Sequence, residues 1–170
     1  MRAVRQDDLE PLRLMHNDPD TLAYLSDPTP VTPETQQEWY AGIQAGRRKA
    51  YVIEDTDGRL LAFVRVSDWD EHNWTACIGL DVVTGRRGQG WGEKCYDLLL
   101  RWCFEEQGLE VVWLQTADFN ARARRLYEKV GFKRHGEIPQ GLYRHGRRWD
   151  LLILAMTKEE WRGKEAMRDV

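Results

Sequence analysis

The chain has 170 residues, 42% of them hydrophobic and 31% charged, which fits one domain of ~100–200 residues and excludes a disordered chain. A formal net charge of −3 lacks the basic excess of a nucleic-acid binder and leans towards a cationic partner. No run approaches the ~20 apolar residues of a membrane span, and the charged stretch from Met1 to Leu14 does not read as a signal peptide. The expectation is a single cytoplasmic domain over 1–170 that contacts neither membrane nor nucleic acid.

In chain order, Met1 to Arg5 predicts a short edge strand. Leu9, Leu12 and Met15 follow at helical spacing, and Asp18-Pro19 ends that helix. Ser26 to Pro30 is a loop by composition. Thr32 then caps a second helix, with Pro33 and Glu34 in its first turn, carrying Trp39 and Ile43 and stopping near Gly46. Ala50–Glu54 and Leu60–Val66 read as a hairpin around Thr56-Asp57-Gly58. Asp68–Asn73 is an acidic loop, and Trp74–Val83 a further strand.

From Gly90 the period changes. Trp91, Cys95, Leu98, Leu99, Trp102 and Cys103 predict a helix that ends before Gly108. Val111–Leu114 is a strand, and Ala121–Val130 a helix stopped by Gly131. Phe132–Glu137 and Trp149–Met156 form a last strand pair, and Lys158–Arg168 a short final helix. This order argues an α+β or mixed α/β fold around one sheet, not a doubly wound sheet. The three cysteines, Cys77, Cys95 and Cys103, include no C-x-x-C, so neither a metal site nor a disulfide framework is expected. Cys95 and Cys103 read as core thiols.

The segment Val82-Val83-Thr84-Gly85-Arg86-Arg87-Gly88-Gln89-Gly90-Trp91-Gly92 joins a strand directly to a helix. Alternate glycines let backbone approach a ligand, and a helix start offers unpaired N–H groups and a positive dipole end. Together with Arg86 and Arg87 they predict an anion site suited to a pyrophosphate. The other reading is a plain turn into a helix. No Gly-Lys-Ser or Gly-Lys-Thr completes a P-loop, and the third glycine comes one place early for a dinucleotide fingerprint.

Arg87-x-x-Gly90-x-Gly92 resembles the acetyl-coenzyme A motif of the GCN5-related N-acetyltransferase (GNAT) superfamily, written [QR]-x-x-G-x-[GA]. A second block, Asn120-x-x-Ala123-x-x-Leu126-Tyr127-Glu128-Lys129-Val130-Gly131-Phe132, resembles that family's N-x-x-A-x-x-L-Y-x-K-x-G-F segment. Asn17-Asp18-Pro19, the helix from Thr32 to Trp39, Tyr143 to Asp150 and Glu160-Trp161 look like its RimJ/RimL-type branch, so the likeness runs from about Arg2 to Trp161. The resemblance implies a twisted mixed sheet of about seven strands flanked by helices, splayed between strands four and five with the coenzyme in the gap.

Carried over by position, the resemblance implies that the amides of Arg87, Gly88, Gln89, Gly90, Trp91 and Gly92 hold the pyrophosphate. Main-chain groups of Leu80 and Val82 pair with the pantetheine arm, Asn120 bonds nearby, and Tyr127 sits beside the thioester sulfur. Asn120, Ala123 and Tyr127 recur at i, i+3 and i+7, which places them on one helix face with a small residue leaving room for a ligand. Without the motif, Tyr127 reads more readily as a half-buried packing aromatic.

Acyl transfer needs a neutral amine, and a lysine-like amine is only about one part in two thousand free base at pH 7. A base, a water path or desolvation must supply it. Backbone N–H groups near Val82 are placed to stabilise the tetrahedral oxyanion, and Tyr127 to hydrogen-bond the leaving thiolate. No covalent enzyme intermediate and no metal are required. Related proteins often carry a Glu just before the Ile-Gly step, where this chain has Cys77. Cys77, Gly79 and Asp81 share a sheet face by the period of two, which makes Asp81 the candidate base, with a solvated or capping Asp as the other reading. Asp68, Asp70, Glu71 and His72 form the acidic loop ahead of this strand, read as solvated charge or as a lure for a cationic amine, with His72 a further candidate base that no motif supports.

The reading is an acetyl-coenzyme A-dependent transferase acting on a primary amine: a protein α-amine, a polyamine or a small-molecule amine. Two alternatives are a coenzyme A-binding regulatory module without efficient transfer, which Cys77 favours, and a nucleotide-phosphate-binding enzyme. The eight Trp and family habit leave a homodimer open.

Overall fold

The computed structural model describes residues 1–168; the last two residues of the expected 1–170 domain lie outside it. Its elements are β1 (Arg2–Ala3), a 3-10 turn (Gln6–Asp8), α1 (Leu9–Asn17), α2 (Pro19–Leu22), α3 (Pro33–Gln44), β2 (Lys49–Glu54), β3 (Leu60–Asp70) and β4 (Thr75–Val82). After a second 3-10 turn (Thr84–Arg86) come α4 (Trp91–Arg101), β5 (Val111–Ala117), α5 (Ala121–Val130), β6 (Lys133–Arg144), β7 (Arg147–Thr157) and α6 (Lys158–Arg168). The strands form one seven-stranded mixed sheet in the order β1-β2-β3-β4-β5-β7-β6, with β4 and β5 parallel. This is the α+β, mixed α/β class expected from the order of elements. Among the described residues no helix is long and apolar enough to cross a membrane. Packing divides the chain into two units, Met1–Ser67 with Gly79–Gly92, and Asp68–Ile78 with Glu93–Val170.

The first unit buries the stripe Leu9, Leu12 and Met15 of α1 with Ala50, Val52 and Phe63, joined by Trp39, Tyr40 and Ile43 of α3. Trp39 meets Phe63 edge-on with ring centres 5.7 Å apart. Thr32 caps α3 by accepting the Thr35 N–H at 3.2 Å, ahead of Pro33, as the capping pattern requires. Asp18-Pro19, expected only to end a helix, also starts α2, because the Asp18 carboxylate accepts the amides of Asp20 and Thr21. Asp55 shapes the β2–β3 turn, its Oδ1 accepting the amides of Asp57 and Arg59 at 3.0 Å each.

Two expected boundaries move. β3 continues to Asp70, so the acidic loop shrinks to a turn in which Asp70 Oδ1 accepts the amides of His72 and Asn73 at 2.8 and 2.9 Å. Polar residues stay in the strand where their side chains are exposed, so composition alone misplaces its end.

In the second unit, Cys95, Leu99, Leu100, Cys103 and Phe104 are buried at helical spacing. After Arg101 the helix widens into a π-helical turn, Trp102–Glu106, before Gly108 at φ 68°. Burial pushes the Cys95 thiol up to about 11 and the Cys103 thiol up to about 12, so both are inert core thiols. Phe104 stacks on Trp161 at 5.4 Å.

The β4–β5 register covers Thr75↔Val111, Ala76↔Val112 and Cys77↔Trp113. β5 pairs antiparallel with β7 from Val111↔Thr157 to Ala117↔Leu151. β6 runs on to Arg144, well past the expected Glu137. Pro139-Gln140-Gly141 reads as a break, but the strand absorbs it as an irregularity between Ile138 and Leu142, with Gln140 at φ 52°. His145 and Gly146, both at positive φ, close the β6–β7 hairpin, the two-residue turn that suits strand twist.

Candidate active site

The glycine-rich segment belongs to the first unit. β4 ends at Val82, the turn Thr84–Arg86 follows, and α4 begins at Trp91. Between them Gly88 and Gly90 take φ 76° and 79°, backbone that residues with a Cβ adopt at a cost. Among the described residues, nothing accepts a hydrogen bond from the amides of Gly88, Gln89 or Gly90. Unpaired amides ahead of a helix N-terminus are a cradle for anionic oxygens.

Arg86 and Arg87 both make contacts inside the fold. Arg86 Nη2 pairs with Asp55 Oδ2 at 3.0 Å. Arg87 folds back, its Nε donating to the Val82 carbonyl at 3.0 Å and its Nη2 to Thr21 Oγ1 at 2.6 Å. Gln89 Nε2 donates to the Gly85 carbonyl at 3.1 Å. These side chains brace the loop, whose backbone dipoles remain for an anion. The Val82 carbonyl already holds one donor, which leaves its second lone pair for a ligand. Leu80 is buried.

Asp81 is engaged as well. Its Oδ2 accepts a hydrogen bond from Arg65 Nη1. The guanidinium reaches it by crossing Gly79, where a Cβ would stand 3.2 Å from Arg65 Nη2, and it lies 5.5 Å from the Phe63 ring centre. A carboxylate held this way is a weaker candidate for a proton acceptor than a free one. Sequence reading missed Arg65; its only signal was a charge at alternate spacing in an otherwise apolar strand.

In the second unit, α5 carries the other block. Asn120 is not on the helix face with Ala123 and Tyr127 but is the N-cap itself, at φ −79° and ψ 67°. Its Oδ1 accepts the Ala123 N–H at 3.1 Å, so its carboxamide nitrogen is the donor that remains for a ligand. Ala123 and Tyr127 do share a face, four residues apart. Tyr127 is half-buried, its ring edge-on to Tyr96 at 5.7 Å and 6.1 Å from Phe132. Gly131 at φ 108° stops the helix, the role its position predicts.

A family model described as the Acetyltransferase (GNAT) domain matches residues 1–133, which takes in both blocks. The chain belongs to the GNAT acetyltransferase family. This GNAT N-acetyltransferase is 25% identical over 132 residues to the SPbeta prophage-derived uncharacterized N-acetyltransferase YokL of Bacillus subtilis, covering 78% of this chain and 75% of that one. It is 22% identical over 162 residues to the spermidine N(1)-acetyltransferase of Vibrio cholerae, covering 95% of this chain and 94% of that one. The crystal structure of spermidine N-acetyltransferase from Vibrio cholerae, in complex with CoA and spermine, superposes with a TM-score of 0.88 at 21% identity, covering 95% of this chain and 96% of that one. At that identity the likeness establishes the fold. This GNAT fold therefore supplies a glycine cradle in one unit and a capped helix bearing Tyr127 in the other.

Proposed function

We propose that this N-acetyltransferase takes its acetyl group from acetyl-coenzyme A and passes it to a primary amine by direct attack. The observation that carries the reading is the run of unengaged amides at Gly88, Gln89 and Gly90 beside two positive-φ glycines. Such a run suits a pyrophosphate, with Arg87, Trp91 and Gly92 completing the loop. Leu80 and Val82 would bind the pantetheine through main-chain groups, Asn120 through its amide nitrogen, and Ala123 would leave room on the helix.

Acetyl-coenzyme A supplies an activated thioester when bound. The protein's part is to orient it, to strip the acceptor ammonium of a proton and to meet the charge on the departing sulfur. Tyr127 suits the last task, since its phenol is a hydrogen-bond donor on the motif-bearing helix. Asp81 as base would have to work against its pairing with Arg65, which makes desolvation or a water path the stronger supply of neutral amine.

The finer reading is a RimJ/RimL-like enzyme acting as one cytoplasmic domain, alone or as a homodimer. Its support is the likeness at Asn17-Asp18-Pro19, the Thr32–Trp39 helix, Tyr143–Asp150 and Glu160-Trp161. The acceptor is a protein α-amine, a polyamine or a small-molecule amine, and the spermidine N(1)-acetyltransferase relative supports an amine. Thiol release from acetyl-coenzyme A, followed across a panel of those three amine classes, tests the reading. Release that depends on the amine is expected. Tight coenzyme binding with no turnover on any amine would leave a coenzyme-binding module, and preference for ATP over coenzyme A would leave a nucleotide enzyme.

A further inference from the structure

The β6–β7 hairpin and the end of β5 build an aromatic group that the proposed chemistry does not use. Trp149 is half-buried and held in place. Its Nε1 donates to the Arg144 carbonyl at 3.0 Å, and Phe119 packs beside it with ring centres 4.8 Å apart. Phe119 in turn meets His145 edge-on at 5.4 Å. The exposed Arg147 guanidinium lies over the Trp149 ring, its carbon 3.3 Å from the centre.

A fixed indole with an accessible face is the strongest side-chain site for a cation, through its ring quadrupole. Here the cation present is a side chain of the chain itself. An exposed contact of this kind is weak, so a ligand cation that is better desolvated displaces it. Phe119 immediately precedes Asn120, the cap of the helix bearing Tyr127, so the aromatic group and the motif-bearing helix are joined without a linker. Asn120 and Tyr127 are seven residues apart, roughly 10 Å along a helix.

Resting on the amine-transfer reading, we infer that the Trp149 face, walled by Phe119, is a subsite for a second cationic group of the acceptor. Arg147 occupies it until the acceptor arrives. The reacting nitrogen must lose its charge, so the nitrogen held on Trp149 is a different one. The substrate class is an amine that carries a further ammonium or guanidinium.

The test compares 1,7-diaminoheptane, long enough for a span of roughly 10 Å, with n-heptylamine, equal in carbon chain but differing by one ammonium, on the wild type, Trp149→Leu and Arg147→Gln. Binding is read by calorimetry in the presence of coenzyme A, and KM and kcat separately with acetyl-coenzyme A. Trp149→Leu should weaken diamine binding and raise its KM by about fivefold, with kcat nearly unchanged. Arg147→Gln, a surface change that spares the fold, should tighten diamine binding by about threefold. Neither should alter n-heptylamine. Equal effects on both amines, or no effect of Arg147→Gln on the diamine, overturn the subsite. Because binding is read without turnover, diamine binding that follows these expectations while no acetyl transfer occurs would sink the catalytic reading and leave the subsite standing.

Discussion

Arg65 and Asp81 form an ion pair across the β3 and β4 strands, with the guanidinium laid over Gly79. The pair occupies the carboxylate that strand periodicity marks as the base. We therefore expect Asp81→Asn to lower kcat less than about tenfold, against the ~100- to 10,000-fold typical of a lost general base. The acid limb of the pH–rate profile should persist. A fall of a hundredfold or more, with that limb abolished, would restore Asp81 as the proton acceptor.

Gly90 sits at φ 79° with open space where a side chain would project. Gly90→Val thus meets no protein atom, yet strains the backbone by roughly 1–2 kcal/mol and blocks approach to the amides. Acetyl-coenzyme A affinity should fall by at least about tenfold, equivalent to ~1.4 kcal/mol. Gly46→Val, at φ 70° and equally open, imposes a similar backbone strain and should leave affinity intact in the same titration. Equal losses for the two variants would mean the loop is only a turn.

Tyr127→Phe removes one hydroxyl from a ring already wedged against Tyr96 and Phe132. The ring packing survives, so the melting temperature should shift little. We expect kcat to fall roughly 10- to 100-fold while KM for acetyl-coenzyme A stays within about twofold. Unchanged kcat would remove the phenol from the reaction.

Glu160 opens α6 with a reciprocal cap: its Oε2 accepts the Thr157 N–H at 2.9 Å, and Thr157 Oγ1 accepts the Glu160 N–H at 3.2 Å. Lys133 Nζ adds a 2.7 Å ion pair. The Lys133 contact, then the Thr157 amide, hold the Glu160 carboxyl down at about 2. A folded value below the unfolded one means this stabilisation is complete above the ordinary carboxylate range and fades as pH falls towards 2. Glu160→Gln keeps a capping acceptor and loses the charge. Its melting temperature should lie below wild type at pH 7 and converge with it only as pH falls to about 2. A constant gap across that range would assign the effect to packing.

Much of the second motif block was legible because its signals are local. Gly131 had to be a left-handed stop, and Ala123 and Tyr127 had to share a face, from spacing alone. Long-range partners were not legible. Nothing in the order of residues says that Arg87 turns back to Thr21, that Arg86 reaches Asp55, or that Arg65 crosses Gly79, because each depends on how distant segments meet. β6 failed for a different reason. Pro139 and Gly141 are honest local breakers, and only pairing with β7 carries the strand through them. Alternate glycines marked the loop and spacing marked the helix, while the family resemblance assigned both to acetyl-coenzyme A.

Asn120 devotes one end of its carboxamide to starting α5, and the proposed ligand contact would draw on the other end. On the proposed contact, this one side chain serves architecture and chemistry at once. A change to Asp would keep the cap and lose the donor, whereas Ala would lose both. In a survey of impaired variants, Ala at this residue would register as poor expression as well as poor turnover, and only the Asp version would separate the two debts.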